Sequence, residues 1–318
     1  MTQLPLFFVR DLRRRGTPSA LARDLETLWR GVRTPAAAWR AADEATRQHA
    51  RVRAAVGLRR EGVLVGESAA LLHGIPLIDG LDPRVHVLAR AGVGSRTRGS
   101  IRERSFAVPP DVVEIGGIPV SSIADTVVDL ARHSTLRRAV VAVDHVLHAE
   151  AVAGRDPERL RETLRVRVDR LGSGRGVRMA AEAVSFADAR AGSPLESVSR
   201  VEIAVAGFPA PRLRHVWHLP DGATVVTVFD WPACGLVGDI DGREMYGVLA
   251  AEQADGFVGA AFREKRRENA LRLLGLRVIR WEWREAIAAD PLIALLRTAG
   301  LLQRQRTRHV VRATRHSK

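Results

Sequence analysis

Apolar and polar positions along the first thirty residues, Leu4 to about Val32, predict a short helix, a Gly-Thr-Pro-Ser turn and a second helix with a Ser or Thr cap. Two readings stay open for this 1–35 segment: a degenerate helix-turn-helix, or a helical hairpin packed on the next domain. From Ala36 to Leu58 the spacing is helical. A further helix over Ser68–His73 is closed by Gly74 and Pro76. Strand-like runs at Val85–Ala89 and Gly117–Val120 follow, separated by the turn-rich GVGSRTRGS. Apolar helices are then expected over Ile123–Ala131 and Leu136–Leu147. Together these make a mixed α/β domain over residues 36–164.

The stretch RVRVDRLGSGRG, from Arg165 to Gly176, is basic and punctuated by glycine, so a linker with a helix is expected over 165–192. Beyond it the order becomes helix, three strands, helix, strand. Ser193-Pro194 supplies an N-cap with proline at the first helical position, opening a helix to about Ala206. Leu213–Leu219 and Thr224–Trp231 flank the turn Pro220-Asp221-Gly222, and Leu236–Ile240 is a third strand ended by Asp241-Gly242. A long helix over Gly259–Leu274 is stopped by Gly275, and Arg277–Trp281 is the fourth strand. This second domain spans 193–300, with a basic tail over 301–318.

Composition narrows the classes. No apolar run reaches the roughly 18 residues of a membrane span, and the apolar-then-basic opening is the reverse of a secretory signal, so a cytoplasmic protein is expected. The single cysteine, Cys234, rules out an internal disulfide and any site of several thiolates, leaving carboxylates and histidines to hold a metal. His73 and His145 have no acidic companion at ligand spacing and read as packing or capping residues. A net charge of +14, nearly all of it arginine, favours a polyanionic partner and makes DNA the first choice. Arginine bias in the genome would produce the same excess.

The residues with candidate chemistry are acidic. Asp230 ends the second strand and Asp239 interrupts the apolar third strand, LVGDI, with Asp241 on the same face two residues on. Carboxylates converging from adjacent strands suit Mg²⁺ or Mn²⁺, which polarise a phosphodiester and activate water. The same residues fit a plain strand end and a plain Asp-Gly turn. In the long helix Arg267 falls in the middle of the inward stripe, with Glu264 at its edge, while Lys265 points outward. An inward arginine needs a carboxylate or phosphate partner. Arg263, Arg266, Arg267 and Arg272 make this helix the expected nucleic-acid contact.

SPLES, FDW, GDIDG, REKRRENALRLLG and RVIRWEW, in this order over about Ser193 to Glu285, resemble proteins whose C-terminal domain is related to very-short-patch-repair endonucleases of the PD-(D/E)XK superfamily. The resemblance implies a restriction-endonuclease-like αβββαβ core and a metal-dependent endonuclease site. By position it assigns Glu196 to the acid of the first helix, and Asp230 and Asp239 to the two metal-binding carboxylates. In an active site Asp241 or Glu196 assists, and Arg267, read from the helical stripe, either contacts the acidic site or a bound phosphate or makes a structural ion pair. Three departures stand out: Asp239 replaces the usual glutamate and is one methylene shorter, Asp241 replaces a lysine, and Tyr246 replaces a histidine. In the first half, GESAALLHGIPL, VHVLA and GIPVSSIADTVVDLAR followed by AVVAVDHVL resemble AbiEi-type antitoxin proteins over about Val63 to Leu147. Two functions follow: a Mg²⁺-dependent DNA endonuclease, or an antitoxin-like DNA-binding regulator whose nuclease fold no longer turns over.

Overall fold

Helices and several small sheets alternate along the chain, giving a mixed α/β protein. The structure, a computed structural model, describes residues 3–14, 24–58, 62–219, 222–241 and 257–303, with backbone alone at 13, 241 and 257–264. Two compact units interleave in sequence. The first takes Met1–Ser134 and Glu158–Ser185, the second Thr135–Pro157 and Phe186–Lys318. The helix Leu136–Val152, placed by its sequence in the 36–164 domain, thus clusters with the C-terminal unit. Arg165 falls inside a helix, Pro157–Asp169, rather than at the start of a linker.

The first unit opens differently from the sequence expectation. Strand β1 (Phe7–Phe8) leads into the helix Val9–Arg14, but the expected second helix is replaced by a hairpin of β2 (Leu25–Trp29) and β3 (Val32–Pro35). Gly31 at φ +91° turns the hairpin, and Val32 and Thr34 bury one face of β3 completely. Alternation in Val-Arg-Thr decides for strand where a helical spacing was read. The turn over Gly16–Ser19 lies outside the described residues.

Helices Ala36–Ala41, Glu44–Leu58 and Gly66–Leu72 come next. They are followed by β4 (Val85–Leu88), β5 (Arg96–Arg98) and β6 (Ile101–Arg104) in the order β4-β6-β5. A separate hairpin joins β7 (Val112–Ile115) to β8 (Ile118–Ser121). Val52, Leu64, Ala69, Val85, Ile101 and Val120 share one core cluster. Ser122 caps the helix Ile123–Arg132 by accepting the Asp125 N–H, which closes the predicted apolar helix at its expected start.

In the second unit the helix Pro194–Val205 starts at the Ser193 cap and packs on Leu136–Val152. Its sheet runs β12-β11-β10-β9, with β9 (Arg212–His218), β10 (Thr224–Trp231) and β11 (Leu236–Asp241) antiparallel. The helix Phe257–Leu273 then carries the chain to β12 (Arg277–Glu282), parallel to β11. Pro220 and Asp221 of the hairpin turn, Gly242, Tyr246 and the tail beyond residue 303 lie outside the described residues.

Candidate functional site

Register fixes which way the acids face. Phe229 pairs with Gly238 and Asp230 with Val237 across β10 and β11. With a side-chain period of two, Phe229, Trp231 and Gly238 therefore share one face, and Asp230, Val237 and Asp239 share the other. The first face is filled by aromatic rings: Phe229 stacks on Trp281 at 5.2 Å, and Trp281 Nε1 donates to Ser199 Oγ on the capped helix at 2.8 Å. Gly238 is required there, because a Cβ would lie 2.6 Å from the Trp281 ring. Packing of the aromatic face thereby sends Asp230 and Asp239 to the opposite side of the sheet.

On that side the acids meet different environments. Asp239 forms an ion pair with Arg267 Nη1, and Arg267 Nη2 also donates to the Val226 carbonyl at 2.8 Å. The inward stripe of the helix thus delivers its arginine to the expected acid. Leu271, one turn on, joins Val225, Val237 and Leu276 in an apolar cluster. Arg280, beside Asp239 in register, reaches Glu268 at 3.3 Å.

Asp230 is fully buried, and neither of its carboxylate oxygens has a hydrogen-bond partner among the described residues. Burial pushes its carboxyl above the usual range, opposed by the charges of His215 and Arg212. Arg212 is its register partner on β9.

The other predicted residues are less convergent. Glu196 is buried at the first turn of its helix. It accepts from Gly192 N–H at 2.9 Å and Ser193 Oγ at 3.1 Å, and pairs with Arg214 at 3.0 Å. No hydrogen bond or ion pair joins it to Asp230 or Asp239 among the described residues. Arg266 and Lys265 are exposed, whereas Arg272 is engaged by Glu268 on its own helix. The side chains of Asp241, Arg263 and Glu264 lie outside the described set.

Mg²⁺ is usually held by one or two carboxylates and keeps several waters. Here arginines hold Asp239 and Glu196, and Asp230 alone keeps uncompensated oxygens. Among the described residues, no group of three or more His, Cys, Asp or Glu side chains forms a metal site. On this face of the sheet the pairing with Arg267 engages Asp239, and Asp230 is the described acid left open.

A more complete polar cluster, which the sequence reading passed over, lies in the first unit. Asp82 accepts from Arg84 N at 3.1 Å, Arg84 Nε at 2.7 Å, His86 Nε2 at 3.0 Å and Arg102 Nη1 at 3.1 Å. Burial pushes its carboxyl up, but the hydrogen bonds from Arg84 and His86 outweigh it and hold Asp82 far below the usual range. His86 is buried in β4, and burial lowers its ring below the ordinary histidine value. The signal was in the sequence: a histidine inside the apolar strand VHVL must find a partner, and Asp82 stands four residues before it. Among the described residues His73 meets no acid; its Nε2 lies 2.8 Å from the Ser121 carbonyl. Burial lowers the ring of half-buried His145, with His148 adding to the effect.

Residues 61–173 match the family model of the AbiEi antitoxin C-terminal domain. The resemblance read over Val63 to Leu147 falls within this antitoxin-type segment, which covers most of the first unit after residue 60. Two uncharacterized proteins from two strains of Mycobacterium tuberculosis are each 27% identical over 166 residues, 52% of this chain. The chain spans 55% of the length of these relatives. No helix among the described residues is long and apolar enough to cross a membrane.

Proposed function

We propose that the protein is an antitoxin-like, DNA-binding regulator of the cytoplasm, whose second unit keeps a PD-(D/E)XK fold related to very-short-patch-repair endonucleases as a scaffold without turnover. The observation that carries this reading is the capture of the would-be catalytic acids by arginines: Arg267 holds Asp239 and Arg214 holds Glu196. An acid whose charge is already compensated has little left to offer a cation. The antitoxin match over 61–173 supports the regulatory role, and the net charge of +14 supports DNA as the partner. The order helix, three strands, helix, strand supports the nuclease-like scaffold.

One observation favours the second reading, a Mg²⁺- or Mn²⁺-dependent endonuclease: the two unpartnered oxygens of Asp230. In that reading Asp230 and Asp239 would hold the ion, which would polarise the phosphodiester and activate water. The regulatory reading is tested by titrating labelled duplex DNA with the full chain at increasing salt. It expects non-specific affinity that falls steeply with ionic strength. Absent or salt-independent binding overturns both readings.

A further inference from the structure

The basic, glycine-punctuated stretch joins the helices Pro157–Asp169 and Val177–Phe186. Between Arg165 and Arg178 it carries five arginines against one acid, Asp169. Its helix ends at Asp169, and the turn is closed by Leu171 N–H to the Val168 carbonyl and Gly172 N–H to the Asp169 carbonyl, both at 3.1 Å. The next helix starts at Val177. Gly176, at φ +77°, presses this turn onto the end of the helix Ile123–Arg132: a Cβ there would stand 2.0 Å from the Arg132 carbonyl oxygen. In return, Arg132 Nε and Nη2 donate to the Arg175 carbonyl at 3.2 and 3.1 Å. Glycine thus fixes the turn, and the turn fixes the Arg132 guanidinium.

A small pocket of about 20 Å³, open to solvent, lies between these elements, with Arg132, Arg167 and Arg170 around it and Phe106 and Leu171 among its apolar lining. Two acids also line it, each paired with an arginine, although Asp129 Oδ2 has no hydrogen-bond partner among the described residues. Asp125 meets Arg167 Nη1 at 3.3 Å and accepts from Ser122 Oγ at 2.7 Å; Asp129 meets Arg104 at 2.8 Å. Arg132, Arg170, Arg175 and Arg178 have no carboxylate partner among the described residues, and the last three are exposed. The local surplus is therefore cationic, and exposed guanidinium forks match the geometry of a phosphate.

We propose that this arginine turn is the phosphate-contacting surface of the first unit for duplex DNA, with Arg132 and Arg170 clamping one phosphate and Arg175 and Arg178 its neighbours along the strand. The assignment rests on the DNA-binding reading above and moves the principal contact away from the helix Phe257–Leu273, where Arg267 and Arg272 are tied to acids.

The test is fluorescence anisotropy of a labelled duplex of about 20 base pairs, titrated with full-length wild type and the triple variant Arg170→Ala/Arg175→Ala/Arg178→Ala over about 50 to 200 mM salt. All three side chains are exposed, and circular dichroism verifies the fold. The variant is expected to bind at least about tenfold more weakly, with the log–log salt slope reduced by about 2 to 3, close to 0.9 per phosphate released. Arg266→Ala/Arg272→Ala should keep the wild-type slope within about one. The triple Arg→Lys variant, which retains charge, should recover most of the slope. Equal affinity and slope for wild type and the triple alanine variant overturn this placement alone. Equal loss of binding to poly-L-glutamate assigns the surface to acidic protein and also overturns it. Failure of wild type to bind DNA at all overturns the DNA-binding reading, and this one with it.

Discussion

Asp82 and Asp230 are both acids shielded from water, one in each unit, and they are treated in opposite ways. Asp82 accepts four hydrogen bonds from Arg84, His86 and Arg102 and is held far below the usual carboxylate range. Asp230 accepts none from the described residues and is pushed above that range. The first arrangement is cement: charge and hydrogen bonds together exceed the desolvation penalty and tie β4 to β6. In the second only the charges of His215 and Arg212 oppose the penalty and do not outweigh it, so the ionised Asp230 weakens the fold that carries it.

The contrast gives its largest effect at Asp82. Asp82→Ala leaves the buried His86 donor without its acceptor, while the partly exposed Arg84 and Arg102 turn to water, and is expected to destabilise by about 2.5 kcal/mol, read by denaturant unfolding. Linkage has a definite sign here. The folded carboxyl lies below its unfolded value, so its stabilisation is present above about pH 4 and is lost as pH falls below that. A variant whose acid-side loss of stability matches wild type would show that the cluster is not what holds this region.

Next in size is Arg267→Ala, expected to cost about 2 kcal/mol because it leaves Asp239 half-buried with its partner removed. The same variant sharpens the metal argument. With Asp239 freed beside Asp230, Mn²⁺ should raise the melting temperature of the variant and not that of wild type. A Mn²⁺ shift of equal size in wild type would mean that Arg267 does not block the site.

Smaller still is Asp230→Asn, expected to stabilise by about 1 kcal/mol at neutral pH. The sign runs opposite to Asp82. A folded carboxyl raised above its unfolded value makes wild type lose stability as pH rises from about 4, and the neutral variant should lack that loss. Unfolding curves at several pH values decide it, and destabilisation by the asparagine at neutral pH would mean that the aspartate has a partner. The smallest effect belongs to Arg266→Ala, on an exposed position, within about 0.5 kcal/mol of wild type in the same assay.

Much of the second unit was legible in its sequence because local signals agreed with the final packing. Ser193-Pro194 caps its helix, Gly275 at φ +76° ends the long one, and the interrupted strand LVGDI puts Asp239 on the face that the helical stripe of Arg267 addresses. What could not be read was compensation. Nothing in the spacing of Glu196 announces that Arg214, eighteen residues on and at φ +54°, will meet it. That pairing depends on where β9 passes the helix, a property of tertiary packing. The N-terminal hairpin was missed for a local reason: Leu25–Trp29 has no strict alternation of its own, and only Gly31 and the buried Val32 and Thr34 of its partner strand make it a strand. Interleaving of the two units was also invisible, since the helix Leu136–Val152 carries an apolar face but no mark of which neighbour will cover it.

The central claim is that the protein holds DNA without cutting it. Supercoiled plasmid incubated with enough full-length protein to saturate binding, with Mg²⁺ or Mn²⁺ and with chelator, measures this most directly. The account predicts a retarded complex from which intact supercoiled DNA is recovered after protease treatment, with or without metal. Nicked or linear product that requires the metal and disappears in Asp230→Asn would contradict it.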